Sequence, residues 1–182
     1  MTLYKNKYRI ESTREPKHDY ASGGTYFVTV CTKKKLQWFG EIKNGEMQLS
    51  ETGKSARDCI DAISKHFPHA KVDAFVIMPD HIHIIVRIEA ASVETQNCAS
   101  PHKATFGPQS LNLGSIIRGF KIGVIKESKK LNLPFQWQPR FHDRIIRSET
   151  ELAAIRKYIN KNPALWDKET IPWHDDAIFW SL

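Results

Sequence analysis

The sequence predicts an α+β domain in which an antiparallel β-sheet is covered by helices on one face. Short runs rich in β-branched and aromatic residues alternate with longer stretches whose apolar residues recur at helical spacing. The two most apolar runs are separated by only two residues, so they are expected to pair antiparallel. A length of 182 residues suggests one domain with an elaboration.

The first part of the predicted domain contains a strand, a hairpin and a helix. Thr25 to Thr32 has the composition of a largely buried strand. Residues 38–49 predict a small hairpin, because Asn44-Gly45 supplies the positive φ angles of a type I′ turn. Ser50 is a suitable N-cap for a helix that runs to about Phe67.

The middle of the sequence predicts the centre of the sheet. Lys71 to Met78 and His81 to Ile88 are the two adjacent apolar runs, and they predict an antiparallel pair. A second helix is expected from about Leu113 to Lys130, because its apolar residues fall on one face and its lysines on the other. Residues 136–147 contain the last predicted strand.

A third helix is predicted to follow that strand. Ser148 and Glu151 have the spacing of a capping box, and Pro163 is expected to end the helix near Asn162. Without the hairpin and this helix, the order is βαββαβ, which is the split order of ferredoxin-like folds. We therefore predict a ferredoxin-like antiparallel sheet with an extra hairpin and an extra C-terminal helix.

The remaining segments differ in composition from this domain, which spans residues 24–163. Residues 1–23 are polar and basic and are interpreted as an N-terminal arm. Residues 89–111 are rich in Ser, Thr, Asn, Gln and Pro and predict a long loop insertion. Residues 164–182 are expected to form a tail that packs on the domain.

The charge of the chain indicates a polyanionic partner. There are 27 Lys and Arg against 20 Asp and Glu, a net charge of +7. The three cysteines form no C-x-x-C pair, which favours a reducing compartment and predicts a cytoplasmic location. No apolar run approaches the roughly 18 residues of a membrane span, so membrane insertion is not expected.

Two histidines lie in one of the central strands. Because strand side chains alternate between faces, His81 and His83 project from the same side of the sheet. Two neutral imidazoles so placed can bind one metal ion. They can equally be structural histidines hydrogen-bonded to the backbone. An apolar strand is an unfavourable place for either ring unless its nitrogens are satisfied.

The third predicted helix carries a second pair of polar residues. Tyr158 lies at the margin of the apolar stripe, and Asn162 lies four residues later on the same face. Taken alone, the tyrosine can be an amphipathic packing residue and the asparagine a helix cap.

Together, these motifs resemble those of a known family. Residues 78–86 (MPDHIHIIV), followed about 75 residues later by 158–163 (YINKNP), resemble the HUH single-strand DNA endonucleases that use one catalytic tyrosine. Among these, the chain is similar to the REP-associated tyrosine transposases. Residues 24–27 and 137–147 also resemble segments of that family. Asp80 stands where such proteins usually have asparagine.

The resemblance implies a function and roles for these residues. It implies a metal-dependent single-stranded DNA endonuclease and strand transferase, a transposase that forms a 5′-phosphotyrosyl intermediate near DNA hairpins. Tyr158 would be the nucleophile, and His81, His83 and Asn162 would bind Mg²⁺ or Mn²⁺. The partner would be single-stranded DNA with a REP-like hairpin, and a monomer is favoured over a homodimer.

The DNA-binding surface is predicted from basic and aromatic residues. Lysines can bind phosphates, and an exposed aromatic ring can stack on an unpaired base. The residues expected to contact DNA are Lys33, Lys34, Lys35, Arg118, Lys121, Lys126 and Tyr26. Two alternatives remain open at this point: a non-catalytic ferredoxin-like module that binds nucleic acid, and a metal-dependent hydrolase in which water is the nucleophile.

Overall fold

A computed structural model of the chain describes residues 23–89 and 112–166. These residues form six strands, four α-helices and a short 3₁₀ turn at Lys33–Lys35. The strands are β1 (Gly24–Cys31), β2 (Gly40–Lys43), β3 (Glu46–Leu49), β4 (Ala70–Ile77), β5 (His81–Ile88) and β6 (His142–Ile146). The helices are α1 (Glu51–Asp61), α2 (Ile63–His66), α3 (Leu113–Lys130) and α4 (Glu149–Leu165).

Four strands form one antiparallel sheet in the order β4-β5-β1-β6. Without the β2–β3 hairpin and α4, the chain follows the predicted βαββαβ order, and the ferredoxin-like α+β fold is confirmed. Strands β5 and β1 occupy the centre of the sheet. The register places Thr29 opposite His83 and Cys31 opposite His81, so both histidines face the other central strand.

One face of the sheet is covered by α1 and α3. Side chains at alternate positions of the two central strands, such as Val28 and Ile84, pack with apolar residues of both helices in the larger core. Ser50 caps α1 by accepting a hydrogen bond from the N–H of Gly53 at 3.1 Å. Asn112 caps α3 in the same way through the N–H of Ser115. This face is a continuous apolar core.

The opposite face carries α4. Leu152, Ile155 and Ile159 of this helix pack against Ile85 and Ile146, which project from the other side of the sheet. Burial of this stripe fixes α4 to the sheet by the hydrophobic effect. The face that holds His81 and His83 is therefore the face on which α4 lies.

The hairpin forms at the predicted place, with Asn44 at φ 54° and Gly45 at φ 76°. The predicted end of the third helix was wrong, because α4 continues through Pro163 to Leu165. A proline in the last turn removes only one intrahelical hydrogen bond, so the helix can tolerate it there. The first predicted helix is divided in two, with α1 ending at Asp61 and a single turn, α2, following it.

Some predicted segments lie outside the described residues. These are almost all of the basic arm, 1–23, almost all of the loop insertion, 89–111, and the part of the predicted tail after residue 166. Among the described helices, none is both long enough and apolar enough to cross a membrane.

Candidate functional site

The candidate site is built around two buried histidines of β5. His81 and His83 are 2% and 3% exposed, and their ring centroids are 4.7 Å apart. The alternation of β5 places both rings on the α4 side, as predicted, while Ile82 and Ile84 enter the core on the other side. Two imidazoles thus lie side by side beneath one helix.

Each histidine has a polar partner at Nδ1. Nδ1 of His81 lies 2.5 Å from Oδ1 of buried Asp80, and Nδ1 of His83 lies 2.9 Å from Oγ1 of Thr29. A carboxylate only accepts hydrogen bonds, so the proton of His81 lies on Nδ1. In a neutral ring, Nε2 then carries the lone pair. The contact with Asp80 therefore selects the tautomer that can bind a cation through Nε2.

His83 is held in its neutral form. Burial, with a smaller effect from nearby His81, lowers the pKa of His83 well below its usual value. A neutral imidazole can act as a metal ligand or as a hydrogen-bond acceptor. The ring of Phe27, from the neighbouring strand, stacks on His83 with centroids 5.1 Å apart and further shields it from water.

Helix α4 brings Tyr158 to these histidines. The phenol oxygen lies 3.4 Å from Nε2 of His83, and the two ring centroids are 5.4 Å apart. Tyr158 also meets the edge of Phe27, with centroids 6.3 Å apart. Residues 75 positions apart in the sequence thus form one site. Its polar atoms are imidazole nitrogens and a phenol oxygen.

Asn162 lies between two residues that contact the histidine pair. Tyr158, one turn before it, contacts His83, and Trp166, one turn after it, packs on His81 with centroids 5.9 Å apart. Helical spacing therefore directs the Asn162 side chain toward the same pair. It is 5% exposed, and its Nδ2 has no hydrogen-bond partner among the described residues.

His81, His83 and Asn162 together suit a divalent cation that accepts both nitrogen and oxygen ligands. Rotation of the Asn162 amide by 180° exchanges its nitrogen and oxygen, so the position that lacks a partner can present an acceptor oxygen. With His81 and His83 this gives two imidazole nitrogens and one carbonyl oxygen. Within residues 23–89 and 112–166, no group of three or more His, Cys, Asp and Glu side chains could hold a metal ion.

The predicted DNA contacts fall in different places. Lys33, Lys34 and Lys35 are exposed in a turn directly after β1. This turn lies close to the start of β5, because the N–H of Thr32 donates to the carbonyl of Asp80, the residue before His81, at 2.9 Å. The lysine turn therefore lies at the end of the sheet that carries His81.

Two of the predicted DNA contacts do not fit the structure. Tyr26 is fully buried in the α1/α3 core, where its hydroxyl donates to the carbonyl of Gly23, so it has no exposed ring face for a base. Lys121 is half-buried, and its ammonium donates to the carbonyls of Gln138 and Arg140 at 2.7 and 2.8 Å. Burial also lowers the pKa of Lys121. Its donors support a loop and are not turned to solvent.

The other basic residues of α3 lie away from the histidines. Arg118 and Lys126 are exposed on α3, which covers the face of the sheet opposite α4. DNA that contacts both these residues and Tyr158 would have to pass around an edge of the sheet.

Several residues of the site were not anticipated from the sequence. Thr29 and Phe27 contact His83, and Trp166 contacts His81. Thr29 and Phe27 share the face of His83, because residues opposite and diagonal to a histidine on a paired strand share its face. The sequence does not mark which side chains of β1 take that face. Trp166 was missed because the helix was expected to end before it.

Comparisons with known proteins agree with this fold. An uncharacterized protein of Haemophilus influenzae is 38% identical over 164 residues, which is 88% of this chain and 91% of that protein. A second protein of the same organism, named "Putative REP-associated tyrosine transposase", is 26% identical over 147 residues, 81% of this chain and 74% of that protein. No protein-family model matches the chain.

Among solved structures, a REP-associated tyrosine transposase bound to a REP hairpin has the same fold, with a TM-score of 0.56 at 22% identity. The alignment covers 82% of this chain and 72% of that chain. The chain therefore belongs to the family of the first Haemophilus protein, and its resemblance to the REP-associated tyrosine transposases, predicted from the two motifs, is confirmed.

Proposed function

We propose that the chain is a metal-dependent single-stranded DNA endonuclease and strand transferase that acts near DNA hairpins. The observation that carries this proposal is the position of the Tyr158 oxygen, 3.4 Å from Nε2 of His83 and beside the His81–His83 pair. A phenol is a useful nucleophile only where its charged form is stabilised. A buried cluster of potential metal ligands next to the phenol supports that role.

His81, His83 and Asn162 would hold a divalent cation, Mg²⁺ or Mn²⁺. When bound, the cation would polarise the scissile phosphate and stabilise negative charge on the reacting oxygens. Asp80 and Thr29 would keep Nδ1 of each histidine engaged, so Nε2 of each ring would be the atom that binds the cation.

Tyr158 would cleave DNA by transesterification. Its oxygen would attack the phosphorus, a new phosphotyrosyl bond would form, and the bond from phosphorus to the 3′ oxygen would break. The phenol would lose its proton, and the departing 3′ oxygen would gain one. Because the new ester keeps a phosphodiester linkage, a 3′ hydroxyl could reverse the step and join strands without a nucleotide cofactor.

The proposed partner is single-stranded DNA with a hairpin. The solved relative of the same fold is bound to a REP hairpin, and the second Haemophilus protein carries the transposase name. The exposed lysines at Lys33–Lys35, at the His81 end of the sheet, would bind the phosphates of such a strand.

A denaturing gel tests the proposal. Wild type and Tyr158→Phe are incubated with labelled single-stranded hairpin DNA and Mn²⁺. We expect a covalent protein–DNA band with wild type and no band with Tyr158→Phe, because phenylalanine lacks only the attacking oxygen.

The two alternatives give different results. Hairpin binding that is unaffected by Tyr158→Phe or by a chelator, with no nicking by wild type, would identify a non-catalytic binding module. Nicking that needs the metal but gives no covalent band, and that survives Tyr158→Phe, would identify a hydrolase that uses water.

A further inference from the structure

An ion pair ties α4 to the edge strand β4. Nε of Arg156 donates to Oδ1 of Asp73 at 2.7 Å, and its Nη2 donates to Oδ2 at 2.6 Å. The two planar groups thus meet at two points, which fixes their orientation as well as their separation. The hydrogen bond from Arg156 holds the pKa of Asp73 below its usual value, so the carboxylate stays ionised at neutral pH.

Asp73 lies at a β-bulge, on the face of the sheet that carries α4. Val72 pairs with Val86 and Ala74 pairs with Ile85, so Asp73 is an extra residue between them. Ala74 lies on the α4 face and Val72 on the α1/α3 face. Alternation from Val72 places Asp73 on the α4 face, and the bulge leaves Ala74 on that face as well. The Asp73 carboxylate is therefore on the side from which Arg156 reaches it.

A second ion pair ties α4 to the other edge strand, β6. Nε of Arg144 donates to Oε1 of Glu151 at 2.7 Å, and the backbone N–H of Arg147 donates to Oε2 at 2.9 Å. At about 100° per residue, Glu151 and Arg156 are roughly 140° apart around the helix. They therefore hold opposite flanks of the apolar stripe.

Rotation of α4 about its axis decides where the Tyr158 oxygen lies. An aliphatic stripe is non-directional and resists a small rotation only weakly. At a side-chain radius of about 5–6 Å, a rotation of about 20° moves a side-chain tip by about 2 Å. Misplacement of a reacting group by about 1 Å can cost on the order of 100-fold in rate.

We propose that the Arg156–Asp73 and Glu151–Arg144 ion pairs fix the rotation of α4 and so aim the Tyr158 oxygen at the histidine pair. This inference rests on the proposed function, because it makes the four residues positioning residues for Tyr158. They act through the helix and not on DNA. Each pair lies at a different edge of the sheet, so together they oppose rotation in both directions.

The test compares Asp73→Asn, Arg156→Met and the double variant with wild type. Lys71→Met is the matched control, since Lys71 lies on the same strand as Asp73 and its exposed ion pair is with Glu89, which does not belong to α4. The measurements are the single-turnover rate and amplitude of covalent adduct formation with labelled hairpin DNA and Mn²⁺, and the hairpin Kd.

We expect each single variant to lower the rate roughly 10- to 100-fold. The double variant should be no slower than Asp73→Asn, because Asp73→Asn already removes the ion pair with Arg156, together with a longer contact of 3.5 Å from Arg87 to Asp73. Hairpin Kd should stay within about twofold, and Lys71→Met should keep the wild-type rate. Glu151→Gln, a second and independent variant, should also lower the rate.

Other outcomes separate the two proposals. Wild-type rates in Asp73→Asn and Arg156→Met would overturn the positioning role and leave the proposed function intact. A lower amplitude at an unchanged rate would also overturn it, because that result reports fewer folded molecules and not a misplaced tyrosine. Absence of any adduct with wild type would overturn the proposed function, and this inference with it.

Discussion

The Tyr158 oxygen and Nε2 of His83 lie 3.4 Å apart although they belong to a helix and a strand far apart in the sequence. The contact forms because α4 crosses the face of the sheet that the odd-numbered residues of β5 occupy. The same crossing brings Trp166 onto His81. A helix that follows the complete βαββαβ unit thus closes a site whose other half lies in the central strand.

The first prediction concerns the two histidines. His81→Ala and His83→Ala should each abolish the covalent adduct, because each removes a proposed metal ligand, while hairpin affinity stays within about threefold. Adduct formation by wild type should also stop on addition of EDTA and return with excess Mn²⁺. Simultaneous loss of adduct formation, hairpin binding and cooperative unfolding in either variant would instead indicate a structural role for that histidine.

A second prediction concerns the carboxylate beside His81. Asp80→Asn should weaken Mn²⁺ binding by about 10-fold, because a carboxylate at Nδ1 makes the imidazole a stronger ligand than a neutral amide does. Titration calorimetry of the protein without DNA measures this directly, and His81→Ala is the control that should remove the binding. Equal affinities for wild type and Asp80→Asn would contradict the role of Asp80.

The fold was predictable because most of its signals are local. The N-cap at Ser50, the turn at Asn44-Gly45 and the N-cap at Ser148 each involve a few neighbouring residues, and each forms as expected. The end of α4 was predicted wrongly, because Pro163 was expected to break the helix as a proline in a helix interior does.

The site was predictable only in part. Alternation along β5 places His81 and His83 on one face whatever surrounds them. For β1 the same rule fails, because both faces of that strand carry apolar or aromatic residues, and nothing local shows that Tyr26 faces the core while Phe27 faces the histidines. Asp73 lies at a bulge that has no mark in the sequence, so its meeting with Arg156 could not be predicted.

A third prediction separates two lysines that look alike in sequence. Lys121→Met should lower the free energy of unfolding by about 1–2 kcal/mol and leave DNA affinity unchanged, because its ammonium binds two carbonyls. Lys34→Asn should leave the free energy of unfolding unchanged and weaken DNA binding. Asparagine tolerates the φ of 58° at this position, so the turn should keep its shape. Loss of one phosphate contact should make the negative slope of log K against log salt shallower by about 1.

Urea unfolding and hairpin binding at several salt concentrations check this pair. A salt slope that falls with Lys121→Met and not with Lys34→Asn would show that the lysine turn is not the phosphate-binding surface.

A fourth prediction follows from the lowered pKa of Asp73. The folded chain binds the Asp73 proton more weakly than the unfolded chain does, since Arg156 stabilises the carboxylate. The stabilisation is therefore fully present above the unfolded pKa of about 3.9 and is lost as the pH falls through the lower folded pKa. The urea midpoint of wild type should exceed that of Asp73→Asn at pH 7, and the difference should shrink below about pH 4. A difference that stays constant down to pH 3 would mean that the pair adds no charge-dependent stability.

The last prediction concerns whether the site is completed within one chain. Monomeric action stays a prediction; in the described chain α4 docks on its own sheet through Leu152, Ile155 and the ion pair from Arg156. A mixture of His83→Ala and Tyr158→Phe should then give no covalent adduct, because neither chain holds an intact site. If two chains exchanged α4, one site of the mixed dimer would combine an intact histidine pair with an intact tyrosine and restore the adduct. Sedimentation at the assay concentration, with and without hairpin DNA, shows whether dimers are present to make that exchange.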